Sequence, residues 1–202
     1  MEAQLKTILS FIIIALSACT ASQDSLVEFS IPANVLDYTG VVNSPEDRDL
    51  LVFSDQGAWF GYSLPKSADQ QSGFLGPFLM TQENGRWLSP VFSNLNIIDE
   101  ADHRFDFSAS TSEQRSFNSH LEKSNKGRDL NVFQKLFFKD EHEAVILTEI
   151  TNTGDSDKTL TISWNGESFL EGIHLKKEGP TIQATTEKST AIGIIHGSDF
   201  TK

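Results

Sequence analysis

The chain of 202 residues carries 28 acidic and 16 basic side chains, a formal charge of −12, and a single cysteine, Cys19. That charge balance excludes a phosphate-reading surface, so no nucleic acid is expected as a partner. One cysteine excludes both an intramolecular disulfide framework and a cysteine-rich zinc site, which leaves packing to supply the stability.

The first residues read as an export signal, with Lys6, an apolar stretch from Ile8 to Leu16, then the small residues Ser17 and Ala18 before Cys19. The stretch is too short to span a bilayer. Leu16-Ser17-Ala18-Cys19 is similar to a bacterial lipobox, where small side chains admit a signal peptidase to the bond before a cysteine that takes a thioether-linked diacylglycerol. The expected layout is a signal peptide over residues 1–18, a lipidated tether over 19–25 and a folded domain over 26–202. Cys19 is then the lipid attachment site; the alternative is an incidental cysteine closing an ordinary signal peptide. Several acyl chains together anchor more firmly than a single one, so the expected location is the cell envelope, with the membrane reached through a lipid anchor. Thr20 stands where inner-membrane lipoproteins of enteric-type bacteria have Asp, which points to the outer membrane.

Beyond the tether, Leu26 to Ile31 alternates apolar and polar residues until Pro32, and Asn43 to Asp49 is a charged, turn-rich segment. Strands are expected at Leu50 to Phe53, Ala58 to Leu64 and Phe74 to Met80, with a loop at Ser67 to Ser72. Further strands are expected at Phe105 to Ala109 and Ser116 to Leu121. Leu130, Val132, Leu136 and Phe138 share one face of a period-two run in which Gln134 is the polar intrusion. Ala144 to Thr151 is rich in β-branched residues, Asn152-Thr153-Gly154-Asp155 supplies turn chemistry, and Leu160, Ile162 and Trp164 alternate again, which predicts a hairpin. Thr181 to Thr186 and Ala191 to Ile195 complete the series. No helical repeat with caps follows the signal, so the fold class is all-β, a sandwich of antiparallel strands.

Asp55-Gln56-Gly57-Ala58-Trp59-Phe60-Gly61-Tyr62-Ser63-Leu64-Pro65, followed by Gly73-Phe74-Leu75-Gly76-Pro77, resembles the N-terminal domain of YgjK-type bacterial glucosidases, which sit with the processing α-glucosidases of glycoside hydrolase family sixty-three. Leu147 to Asn152 running into Ser163-Trp164-Asn165-Gly166-Glu167 is similar to the family's strand, turn and Trp-x-Gly-Glu ending. The resemblance covers about Asp47 to Thr186 and thins through Asn94 to Lys126. It implies a super-β-sandwich that packs against an (α/α)6 barrel, the barrel holding both acids of an inverting hydrolysis. By the same resemblance this stretch is an incomplete front domain, and its catalytic partner, the barrel, is missing from it.

None of the acids in the chain matches the barrel motifs, so no catalytic residue is assigned, and no cofactor or metal is expected. Asp140-Glu141-His142-Glu143 and Asp99-Glu100-Ala101-Asp102-His103 read as solvated turns, because neighbouring side chains on an extended backbone point to opposite faces. Asp55, Trp59, Phe60 and Tyr62 are the candidates for a domain interface or the rim of a sugar pocket; for the three aromatics, core packing is the competing reading. Gly57 and Gly61 suit close approach of another backbone. Trp164 is expected in the core, while Trp87, beside Gly85 and Arg86, is placed as an exposed platform. An α-linked oligosaccharide is the expected ligand. The rival readings are a stand-alone surface lipoprotein that binds glycans through its aromatics, or a structural one.

Overall fold

The computed structural model describes residues 31–80, 84–172, 174–178, 181–185 and 192–195, so Cys19 and the strand expected at Leu26 to Ile31 fall, apart from Ile31, outside the described residues. Within them the chain is β-structure with one 3-10 turn, Ala68–Gln70, inside the loop expected there. Among the described residues no helix is long and apolar enough to cross a membrane.

The first sheet orders β1 (Thr39–Gly40), β2 (Phe60–Pro65), β3 (Leu75–Leu79) and β4 (Arg86–Trp87); β1 runs parallel to β2 and the other pairs are antiparallel. A two-stranded ribbon joins β5 (Asn94–Asp99) to β10 (Leu160–Asn165). The second large sheet is an antiparallel meander of β6 (Thr111–Ser116), β7 (His120–Lys126), β8 (Leu130–Asp140) and β9 (Glu143–Asn152). A further sheet pairs β11 (His174–Glu178), β12 (Thr181–Thr185) and β13 (Ile192–Ile195).

Period-two alternation decides which side chains meet between the sheets. Phe60, Tyr62 and Leu64 of β2 join Phe53 and Phe74 against Leu121, Leu136 and Phe138 of the meander. Leu95 and Ile97 of β5, with Leu160 and Ile162 of β10, meet Leu130, Val132 and Ile150 lower on the same meander. A third cluster, Val42, Leu75, Trp87 and Val91, packs with Leu50, Val52, Phe78 and Phe169.

A polar row separates the first two clusters. Register places Gln114, Lys123, Gln134 and Thr148 side by side on β6, β7, β8 and β9. Lys123 has no exposed surface, and its Nζ donates to the carbonyl of Gln71 at 2.6 Å and to that of Gly73. It also lies 5.1 Å from the centre of the Phe74 ring. Gln114 Nε2 donates to the carbonyl of Pro65 at 2.8 Å and to Gln71 Oε1 at 3.0 Å. The intrusion at Gln134 thus belongs to a band that spans the whole sheet.

Four expectations change, the first being that Leu50 to Phe53 is no strand and reaches β2 through the bridge from Phe53 to Tyr62. Ala144–Thr151 and Leu160–Trp164 do not form a hairpin: β9 pairs with β8 through the turn at Glu141 and His142, whereas β10 crosses to β5 in the other layer. The turn chemistry at Asn152 is real, since Asn152 Oδ1 accepts from Gly154 N at 3.1 Å and its Nδ2 donates to the Ser156 carbonyl at 2.8 Å. It turns the chain between layers, where β10 takes β5 as its partner. Ser116 to Leu121 spans the turn between β6 and β7, and Phe105 to Ala109 is a bend closed by Asp106, because charged or polar strands on either side carried too little apolar alternation to mark their limits.

Gly57 and Gly61 play different roles. Asp55-Gln56-Gly57-Ala58 is a tight turn with φ of 55° at Gln56 and 76° at Gly57, closed by Ala58 N on the Asp55 carbonyl at 3.1 Å. Positive φ at both central residues is the pattern of a type I′ hairpin turn. A Cβ at Gly57 meets nothing within 4 Å, so that glycine answers to backbone conformation alone. A Cβ at Gly61 would lie 2.4 Å from Val52 Cγ1 and 2.5 Å from the Phe53 carbonyl oxygen, the close approach expected from sequence. Gly61→Ala is therefore expected to cost about 1–3 kcal/mol in urea unfolding, as overpacking does. Gly57→Ala should cost about 1 kcal/mol through its positive φ; the order reverses if the hairpin slides to relieve Gly61.

Candidate functional site

The residues singled out around the first motif separate into three environments. Asp55 closes the hairpin turn, its Oδ1 accepting from Gln56 N at 2.7 Å. Phe60 and Tyr62 face inward: their rings lie 5.3 and 6.3 Å from that of Phe138 and 6.1 Å from each other. Burial pushes the Tyr62 phenol well above its ordinary pKa, so it stays protonated. Trp59, the neighbour on the strand, points away and is 66 % exposed. One aromatic of the three thus stands on the surface.

The other tryptophans exchange their expected places. Trp87 is fully buried, 5.0 Å from the Phe78 ring, and its Nε1 donates to the Asp47 carbonyl at 2.9 Å. The short strand at Arg86–Trp87 delivers it inward, and this overturns the platform expected from its turn-like neighbours. Trp164 follows the Leu160–Ile162 face but stays 38 % exposed near the end of the ribbon.

An open concavity among the described residues lies on the far face of the ribbon and was not foreseen. It is an open cleft of about 490 Å³. Leu95 and Ile97 point into the core, so alternation turns Asn94 and Asn96 outward. Their register partners on β10 are Asn165 and Ser163. Arg104 pairs with Ile98 on the other edge of β5 and brings its side chain to the same face. Asp69, from the loop before β3, and Asp106 complete the lining, with Phe105 half-buried among them.

These polar groups are held in place by few internal bonds. Asn94 Oδ1 accepts from Ser72 Oγ at 2.8 Å, and Asn96 Nδ2 donates to Ser163 Oγ at 3.2 Å. Asp106 Oδ1 accepts from Ser108 Oγ at 2.6 Å, Ser108 N at 2.9 Å and Ala109 N at 3.2 Å. The hydroxyl of Ser108 first, then these amides, holds the Asp106 carboxyl below its ordinary pKa and keeps it ionised. The Arg104 guanidinium and the Asn165 carboxamide make no hydrogen bond or ion pair with any described residue. The signal available in the sequence was the Asn94-x-Asn96 alternation, within the stretch where the family resemblance thins.

The motif that carries the second half of the resemblance is structural. A Cβ at Gly166 would lie 2.0 Å from the Phe92 carbonyl oxygen, and the segment beyond it continues along the same backbone, with Glu167 N on the Val91 carbonyl at 3.3 Å and Phe169 N on that of Leu88 at 2.9 Å. Glycine is required there for the ribbon to cross the chain entering β5. The family described as glucosidase YgjK, N-terminal, matches residues 32–191. The chain belongs to that family. None of the curated proteins compared with the chain matches it. As a YgjK-type N-terminal domain, the molecule has the motif glycines Gly61 and Gly166 at close backbone crossings, and the motif aromatics Phe60 and Tyr62 between the sheets. The family match extends through Asn94 to Lys126, so the cleft residues lie within the domain that defines it.

Proposed function

We propose that this sandwich is the non-catalytic front domain of a lipid-anchored, α-glucosidase-like inverting hydrolase, and that it supports a catalytic (α/α)6 barrel. The match to a glucosidase N-terminal domain over residues 32–191 carries this reading. Support comes from the surface. Trp59, 66 % exposed beside the inward-facing Phe60, presents a large flat apolar face to solvent, where a second domain would cover it. The domain contributes rigidity to the barrel and shapes one rim of its sugar pocket through Trp59. Anchoring is proposed from the likeness of Leu16-Ser17-Ala18-Cys19 to a lipobox, and with Thr20 after the cysteine the proposed location is the cell envelope, at the outer membrane.

The test is to read the frame beyond Lys202 and assay the joined protein on an α-glucoside. A frame entering a helical region with two suitably placed acids, and hydrolysis with inversion by the joined protein, is the expected result. Unrelated sequence after a stop would overturn the reading and leave a stand-alone lipoprotein. Cys19→Ser should in the same cells abolish labelling by radioactive palmitate and release the protein from the membrane fraction.

A further inference from the structure

The ribbon cleft has the chemistry of a ligand site with no ligand role yet assigned to it. Its walls offer three carboxamides, one guanidinium and two carboxylates, converging on about 490 Å³ of open space within the size range of small-molecule sites. Donors and acceptors are both in surplus. Arg104 and Asn165 are uncommitted among the described residues, Asn94 keeps its Nδ2 donors, Asn96 keeps its Oδ1, and Asp106 keeps its Oδ2.

The balance of charge selects the class of ligand. Asp69 and Asp106 outnumber Arg104, and the whole chain carries −12, so a phosphate or carboxylate would meet net repulsion. A cation would meet the guanidinium and carboxamide N–H groups, and no group of three or more potential ligands for a metal ion occurs among the described residues. A neutral molecule with many hydroxyls meets neither obstacle. Each hydroxyl donates once and accepts twice, and the planar ends of Asn, Asp and Arg present paired atoms that span adjacent hydroxyls. Phe105, at the edge of the cleft and 4.8 Å from the Phe107 ring, adds an apolar wall for the C–H face of a sugar.

We propose that the cleft between β5, β10 and the bend at Arg104–Ser108 binds a neutral hexose unit of an oligosaccharide, as an accessory sugar site on the sandwich itself. It needs no barrel, and it stands or falls separately from the hydrolase reading. Strand pairing fixes the backbone positions of Asn94, Asn96 and Asn165. Arg104 supplies the strongest donor, and the ionised Asp106 the strongest acceptor.

The experiment is a titration of the chain with maltotriose, followed by the side-chain amide signals of asparagine and the Nε–H signals of arginine in nitrogen–proton correlation spectra. Saturable shifts are expected at Asn94, Asn96, Asn165 and Arg104. Arg104→Ala and Asn165→Ala should each weaken binding about tenfold, the worth of one well-placed bond in a small site. Both should leave the melting temperature unchanged, since neither side chain bonds to the described protein. Maltotriose that shifts no cleft signal in the dispersed spectrum overturns the proposal. So do shifts confined to the Trp59 indole, or inorganic phosphate competing at the cleft in maltotriose's place. A failure here leaves the joined-protein assay untouched, and a failure there leaves this titration untouched.

Discussion

Raising the pH from about 7 toward 10.5 is expected to stabilise the sandwich, and Lys123 is the reason. Its Nζ sits between two sheets with two backbone carbonyls and an aromatic ring for company, and it forms no ion pair among the described residues. Gln114 and Gln134 flank it on β6 and β8. Desolvation penalises the ammonium and brings the folded-state pKa down to about 7 from 10.5. Between those values the unfolded chain binds one more proton than the folded chain, so unfolding free energy rises with pH, by at most about 1.4 kcal/mol per unit. Below 7 both states hold the proton and the dependence from this group vanishes. The neutral amine keeps two N–H donors, enough for the carbonyls of Gln71 and Gly73.

Urea unfolding at pH 7, 8 and 9 checks this. Lys123→Met is expected to flatten the dependence across that window, while at pH 7 it costs about 1–3 kcal/mol because two buried carbonyls lose their donor. A wild-type midpoint that stays level from pH 7 to 9 would show that the amine reaches solvent and retains its proton.

Trp87→Ala is expected to be the most damaging single change in the third cluster, by about 3–5 kcal/mol. The indole fills the space among Val42, Leu75 and Val91, and the same residue fastens the preceding turn at two points. Its backbone N donates to the Pro45 carbonyl at 2.9 Å, and its Nε1 to that of Asp47, also at 2.9 Å. The turn it holds is organised by Asp47, whose carboxylate accepts from Asn43 N at 2.6 Å, Ser44 N at 3.0 Å and Ser44 Oγ at 2.8 Å. Trp87→Phe retains the backbone bond and most of the apolar volume, so its loss should approach the worth of one hydrogen bond plus a small void, about 1–2 kcal/mol. Urea midpoints of the two variants give the comparison. Equal losses would mean that the indole N–H, and not the volume, holds the turn.

Legibility in the sequence followed apolar alternation. The inward face of β8 could be read residue by residue, with Leu130, Val132, Gln134, Leu136 and Phe138 all buried as their spacing implied. β6 and β7 are equally regular but carry Gln114, Lys123 and Asn125 toward the interior, so period two without hydrophobicity left no mark. Trp87 misled for a related reason: the local glycine and arginine describe a turn, whereas its burial depends on residues 40 positions away. Asp140 to Glu143 and Asp99 to His103 did prove to be turns, with Asp99 Oδ1 accepting from Ala101 N at 2.9 Å and His103 N at 2.8 Å.

By itself, the sequence determined the class of structure and the family, because alternation, turn residues and obligatory glycines act over a few positions and leave direct traces in the order of residues. Tertiary structure alone decided which strands became partners. The choice between β8 and β10 as neighbour of β9 rests on long-range packing of Ile146 and Ile150 across the layers, and local turn chemistry is compatible with either. The same holds for the cleft. Asn94, Asn96, Arg104 and Asn165 are scattered polar residues along the chain, and they face one space because β5 pairs with β10 on one edge and with the bend at Arg104 on the other.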